Sequence, residues 1–328
     1  MPVPGKVALS AVLGCASALW FGSTASPTQD LQPGKEEAKS FSVPIELLYD
    51  KPYVSVMVNG RGPFRFLIDT GTGTEAMVSP ELANELAMPV VGHARLTDPS
   101  GLGEQRSDVV LMQSITVGGV EFAEVKAIRH KLYGDGENCQ GVLGFTLFKN
   151  YLLTLNFPDR RLILARGVLE EDRSGSVIPF RMPDGVPIVA MRIDGLHAEA
   201  QIDSGGTGLS LPEPVAAHLK FLSTPVTFGS GESLATRFQI KAARLRPDVR
   251  LGRYTFRQAF VEINPAFPLV NVGSTPLGKF VVTFDQQRML LRLDSNEKTL
   301  SLDASPAVME LINAPKRQVQ DSKLVPVG

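Results

Sequence analysis

Phe66-Leu67-Ile68-Asp69-Thr70-Gly71 returns, altered, as Ala200-Gln201-Ile202-Asp203-Ser204-Gly205, with the two aspartates 134 residues apart. Each triplet closes an apolar alternation: Phe64, Phe66 and Ile68 before the first, Ala198, Ala200 and Ile202 before the second. Alternation of this kind marks a half-buried strand. Small residues follow each triplet, Thr72 and Gly73 in one place, Gly206 and Thr207 in the other. A single Asp-[Ser/Thr]-Gly arises by chance in about one chain in six of this length at average residue usage. Two of them inside a matching repeat are a much stronger signal.

The repeat extends outward from the triplets. Ser42-Val43 lies 27 residues before Asp69, and Ser176-Val177 lies 27 before Asp203. Ile115, Val117, Gly118 and Phe122 match Val249, Leu251, Gly252 and Phe256 at the same offset of 134. Gly141-Val142-Leu143-Gly144 leads to Tyr151 through Asn156; Val270-Asn271-Val272-Gly273 leads to Phe280 through Asp285. The offset there is 129, so the second copy is about five residues shorter between these landmarks. A period this long indicates a duplicated domain rather than a solenoid.

Both copies read as β. Val54, Val56 and Val58 alternate, Asn59-Gly60-Arg61-Gly62 turns the chain, and Phe64 to Ile68 alternate again, which predicts a hairpin. Ile188–Ile193, Asp194-Gly195 and Ala198–Ile202 predict its counterpart, and Ile115 through Phe122 a further hairpin. Helices are short. Ser79-Pro80 opens one over Pro80–Ala87, since Pro is tolerated at the first helical position, and Pro212 opens another through Leu219. The expected organisation is residues 41–167 as the first copy, 175–293 as the second, and 294–328 as a polar tail with a short helix at Ser305–Asn313.

The 328 residues are 43% hydrophobic and 20% charged, enough for a real core, and the net charge of −1 leaves no basic excess for a nucleic-acid partner. Residues 1–25 read as an export signal: Lys6 precedes an apolar run from Val7 to Phe21, and Ser23-x-Ala25 supplies the small residues of a cleavage site. A second reading stays open. Val12-Leu13-Gly14-Cys15 resembles a bacterial lipobox and would place a lipid on Cys15. Residues 26–40 are then a linker, and the expected location is periplasmic or cell-envelope. With the signal removed only Cys139 remains, so no intramolecular disulfide can form.

Two carboxylates brought together on glycine turns can share one proton. The ionised member then draws a proton from a trapped water while the protonated member donates to a carbonyl oxygen. Gly71 and Gly205 let the two backbones approach, and Thr70 and Ser204 carry short hydroxyls that can reach the opposite turn. With these residues the sequence resembles the aspartic peptidases of the pepsin and retropepsin group, in particular bacterial retropepsin-like proteins with tandem copies. The resemblance covers residues 41–293, and the apolar-apolar-Gly elements ending at Gly144 and Gly273 match those that support each catalytic turn. It implies an all-β fold of two similar β-barrel lobes related by a pseudo-two-fold axis. It also implies Asp69 and Asp203 as the catalytic pair and Thr70 and Ser204 as a hydroxyl grip between lobes.

Family turns place Ser or Thr two residues after the glycine; Thr207 fills that place in the second copy, whereas the first has Gly73. This predicts that Thr207 supports Asp203 and that Asp69, lacking such a donor, is the more easily protonated. Two glycine-rich stretches are candidate flaps: Asp98–Asp108 with Gly101 and Gly103, and Thr227–Thr236 with Gly229 and Gly231. The implied activity is hydrolysis of extended polypeptides, with no metal or organic cofactor, by a monomer whose lobes form an intramolecular pseudo-dimer. The membrane enters only through a signal or lipid anchor. The alternative is a catalytically silent module that binds extended peptides or a cell-envelope partner. Other chemistries find no pattern: His93, His130, His197 and His218 lack metal-ligand spacing, no Gly-x-Ser-x-Gly is present, and Gly71-x-Gly73 lacks the third glycine of a dinucleotide fingerprint.

Overall fold

The computed structural model describes residues 40–97, 104–132, 139–232, 237–265 and 267–303. The export segment, nearly all of the linker and the predicted helix at Ser305–Asn313 lie outside them. In chain order the first copy contributes β1 (Ser40–Pro44), β2 (Glu46–Leu48), β3 (Lys51–Val58), β4 (Arg61–Asp69), β5 (Ala76–Val78) and α1 (Pro80–Glu85). It continues with β6 (Val90–Thr97), β7 (Glu104–Val117), β8 (Val120–Arg129), β9 (Gly141–Gly144), β10 (Leu152–Asn156) and β11 (Arg161–Ala165). The second copy contributes β12 (Val177–Arg181), β13 (Ile188–Ile193), β14 (Leu196–Ile202), β15 (Leu209–Leu211), α2 (Glu213–Ala216), β16 (Val226–Glu232) and β17 (Arg237–Arg244). Then follow β18 (Val249–Leu251), β19 (Tyr254–Arg257), β20 (Phe260–Ile263), β21 (Val270–Val272), α3 (Ser274–Leu277), β22 (Val281–Asp285), β23 (Leu290–Asp294) and β24 (Thr299–Ser301). The protein is all-β, with two similar lobes.

The two lobes repeat one strand order. It is β3-β4-β9-β5-β8-β7-β6 in the first and β13-β14-β21-β15-β20-β17-β16 in the second. The predicted hairpins form at tight turns whose central residues take positive φ: Asn59 and Gly60 between β3 and β4, Asp194 and Gly195 between β13 and β14. The long β7–β8 hairpin is broken in the second lobe, where β17 stops before Arg246-Pro247 and β18 resumes at Val249. Proline has no N–H for the ladder, which accounts for the break. The five-residue difference between copies falls between β8 and β9, against β20 and β21. Ser79 caps α1, its Oγ accepting from the Leu82 amide at 3.1 Å, and α2 is shorter than its predicted span through Leu219.

Between the lobes runs a six-strand arrangement, β1-β11-β10-β22-β23-β12. At its centre β10 pairs antiparallel with β22, Thr154 opposite Thr283, their hydroxyls 2.9 Å apart. These two residues are equivalents in the repeat. An antiparallel pair in which a residue meets its own counterpart has a local two-fold axis between its strands, and this axis relates the lobes. Beside it Phe145 of the first lobe packs edge-on against Phe284 at 5.0 Å and Phe180 at 6.0 Å, all three buried. Such contacts join the lobe interiors into one apolar core.

One boundary read from sequence needs correction. The expected tail from residue 294 begins with structure: β24 adds in parallel to β19, and Leu300 and Leu302 are buried while Thr299 and Ser301 face out. The alternation is too short to mark a strand without the partner that covers it.

Candidate active site

β4 ends at Asp69, and β14 ends one residue before Asp203. Each end is fixed by a parallel neighbour. β9 runs beside β4 with Asp69 opposite Gly144, and β21 runs beside β14, the Asp203 amide donating to Val272 O at 3.0 Å. The turns that follow meet at the two-fold axis. Thr70 Oγ1 donates to Ile202 O at 2.7 Å and accepts from the Ser204 amide at 2.9 Å. Ser204 Oγ donates to Ile68 O at 2.7 Å and accepts from the Thr70 amide at 3.1 Å. Both side chains are fully buried, so these four bonds form a closed reciprocal set with no water to replace them.

The grip fixes the carboxyls. A β-carbon on Gly71 would stand 2.5 Å from the Asp203 carboxyl, and one on Gly205 would strike the Asp69 carboxyl. Only glycine lets the two turns close to this distance. The two carboxyls are thereby set side by side across the axis, near enough for each to act on the other's ionisation. Burial and the neighbouring Asp203 charge raise the Asp69 pKa from its ordinary 3.8 to about 7, against the opposing pull of the Thr72 hydroxyl and the Gly71 amide. Like charges this close do not both ionise easily, which favours a single proton held between the two carboxyls. That arrangement can act as base toward a water and as acid toward a carbonyl oxygen at once.

The donors around each carboxyl differ from the expectation. Thr207 makes no hydrogen bond to Asp203. Asp203 instead accepts at Oδ1 from the Gly205 and Gly206 amides, at 2.9 and 2.8 Å, and at Oδ2 from Asn271 Nδ2 at 2.7 Å. Nor does Asp69 lack a hydroxyl. Thr72 Oγ1 donates to its Oδ2 at 2.8 Å, and the Gly71 amide to its Oδ1 at 2.8 Å. The reason is a one-residue difference: β5 starts seven residues after Asp69, β15 six after Asp203. The longer turn presents Thr72 to the carboxyl and presses Gly73 against the backbone of Asp184, where a β-carbon would collide with the Asp184 carbonyl. Of the donors, Thr72 was hidden by the insertion, and Asn271 by its place in an apolar element.

A cavity of about 240 Å³ opens beside Asp69 and Gly205. Its apolar wall comes from Tyr53, Leu67, Met77 and Val142 of the first lobe, and Lys51 and His130 also line it. Cys139 lies on the same wall and donates from Sγ to Gly141 O. Gly229 and Gly231 are on β16, the strand paired with β17 in a hairpin, and not in an open loop; β6 and β7 form the corresponding hairpin of the first lobe. Gly101, Gly103 and Cys15 lie outside the described residues. Among the described residues no cluster of three or more His, Cys, Asp or Glu is placed to hold a metal ion, and no helix is long and apolar enough to cross a membrane.

Comparison with known families agrees with this geometry over part of the chain. A family model described as aspartyl protease matches residues 54–147, a span that contains Asp69 and the Gly144 element. No curated protein matches the chain.

Proposed function

We propose that this chain is an aspartic endopeptidase in which Asp69 and Asp203 share a proton and activate a water against a peptide carbonyl. The observation that carries the reading is the meeting of two Asp-[Ser/Thr]-Gly turns, cross-bonded by Thr70 and Ser204, each with its glycine against the carboxyl of the opposite turn. In the first step the ionised carboxylate takes a proton from the water as its oxygen attacks the carbonyl carbon. The protonated carboxyl gives its proton to the carbonyl oxygen, which leaves a neutral gem-diol. Collapse of the gem-diol breaks the C–N bond, the nitrogen taking a proton from one carboxyl while the other takes one from a diol hydroxyl, and the pair returns to its single-proton state. The substrate is an extended polypeptide lying along the cleft, with one side chain against the apolar wall of the cavity beside Asp69. The export reading of residues 1–25 places this activity outside the cytoplasm.

The test is cleavage of a denatured protein by the full chain at acid pH, below the value of about 7 to which the Asp69 pKa is raised. Products with new amino termini, insensitive to chelators and absent with folded D69N, are expected. Wild-type protein that binds the denatured chain but never cuts it would establish the silent binding module instead.

A further inference from the structure

The repeat places Val142 and Asn271 at the same point, each one residue before the apolar residue and glycine that support a turn. In the first lobe that point is apolar and lines the cavity. In the second lobe it carries an amide that reaches the catalytic turn. We propose that Asn271 is a positioning residue that holds the negative charge of the resting pair on Asp203, leaving the shared proton on Asp69. The proposal rests on the dyad reading above and deepens it.

The geometry supplies the reason. Asp203 accepts three N–H bonds: two backbone amides on Oδ1 and Asn271 Nδ2 on Oδ2, at 2.9, 2.8 and 2.7 Å. The two backbone amides cannot turn round and accept, and Asn271 could accept only by flipping its amide, so in this arrangement a proton on either Asp203 oxygen competes with an existing donor. Asp69 accepts one fixed amide, Gly71, and one hydroxyl, Thr72, which can rotate and accept from a carboxylic acid. Both counterpart amides donate to the backbone carbonyl of their own aspartate, Thr72 to Asp69 O at 3.3 Å and Gly206 to Asp203 O at 3.2 Å, but only the Gly206 amide also reaches the carboxyl. Three N–H donors against one, plus a rotor, set the direction of the asymmetry. The raised Asp69 pKa agrees with it.

Asn271 itself is 4% exposed and its Oδ1 has no hydrogen-bond partner. A buried amide oxygen without a partner is destabilising, so the fold retains this residue at a cost that the apolar Val142 avoids in the first lobe. The acidic and basic groups around it are few. Asp69 faces Asp203 from the opposite turn. Glu262 lies two strands away on β20, its carboxyl accepting from Ser210 Oγ at 2.8 Å and its pKa raised by burial against the pull of that hydroxyl and of Lys51.

The experiment follows the ¹³C resonances of the two side-chain carboxyls in the full chain as pH is varied, assigned with D69N and D203N. In the wild type between about pH 5 and 6, Asp203 should show a carboxylate shift and Asp69 that of a carboxylic acid. N271V installs the residue that the first lobe already carries, and N271A removes the amide with less bulk. Both should raise the pH at which Asp203 ionises by about one unit and move the acid limb of the kcat profile the same way. E262Q, added to each, removes the nearest other titration. An acid signal on wild-type Asp203, as would follow if the amide were turned with its oxygen toward Asp203, would overturn the proposal. So would wild-type titration in both variants. The predicted carboxyl pattern in a chain that cleaves nothing would keep this assignment and remove the peptidase reading. Cleavage with both carboxyls indifferent to Asn271 would do the reverse.

Discussion

Across β4, β9, β5 and β8 of the first lobe, residues in direct register are Leu67, Val142, Met77 and Ile128. Across β14, β21, β15 and β20 of the second they are Gln201, Asn271, Ser210 and Glu262. Residues in register on neighbouring strands share a face, so the same row of the same sheet is apolar in one lobe and polar in the other. Each row borders its own aspartate. The apolar row packs with Tyr53 and leaves the cavity beside Asp69. The polar row is tied by hydrogen bonds: Gln201 Nε2 to Gly71 O at 3.3 Å, Asn271 to Asp203, Ser210 to Glu262. The two lobes share the backbone that brings two carboxyls together and differ in the surroundings of each. A symmetric scaffold thereby holds a chemically asymmetric pair.

The shared part of that comparison should be the most sensitive to change. T70V and S204A each remove two bonds of the buried grip and strand an N–H and a C=O of the opposite lobe. Each should lower unfolding stability by about 2–5 kcal/mol. Urea unfolding should give closely similar losses for the two, as the two-fold relation requires; a loss confined to one would break the symmetry of the grip.

Next come substitutions that swap the lobes' chemistry. L67Q places an amide among Tyr53, Val142 and Met77 and should cost about 1–3 kcal/mol. Q201L loses a single 3.3 Å bond and should cost less than about 1 kcal/mol. Equal costs would mean that the rows are not specialised. The turns differ in the same sense. G73A drives a β-carbon into the Asp184 carbonyl and should destabilise by about 1–3 kcal/mol, whereas T207A removes a hydroxyl that bonds nothing and should sit within about 0.5 kcal/mol of wild type.

The two turns and the hairpins leading to them are legible because their signals are local. Alternating apolar residues set the strands, Asn59-Gly60 and Asp194-Gly195 set the reversals, and the aspartates stand where the alternation stops. What escapes the sequence depends on small shifts of register. One extra residue after Asp69 exchanges the roles of Thr72 and Gly73, and a constant offset between copies conceals it. Asn271 reads as an imperfect match in an apolar-apolar-Gly element until β21 brings its amide to Asp203. Leu300 and Leu302 are too few to mark β24 without the partner strand β19 that covers them. Tertiary pairing decides each of these, and no local pattern encodes it.

The smallest expected effect concerns the far end of the polar row. Burial raises the Glu262 pKa, while the Ser210 hydroxyl and Lys51 pull the other way. A carboxyl raised in the folded state favours folding when neutral. Its contribution is fully present below its ordinary 4.5 and is lost as pH rises through the folded value. E262Q should therefore lose less stability than wild type over that interval. Asp69 titrates in the same direction between 3.8 and about 7, so the difference between wild type and E262Q, measured by thermal unfolding against pH, isolates Glu262. A difference that does not change with pH would return Glu262 to an ordinary carboxylate.

Turnover of a peptide substrate by D69N, D203N and the double variant, in one assay, tests the central claim most directly. If the two carboxyls act as one proton-sharing unit, each single substitution should reduce kcat by at least about a thousandfold and the double variant should be little slower than either. Asn keeps the size of Asp, so all three proteins should remain folded. One single variant retaining wild-type turnover, or losses that multiply in the double variant, would show two independent groups rather than a pair and contradict the account.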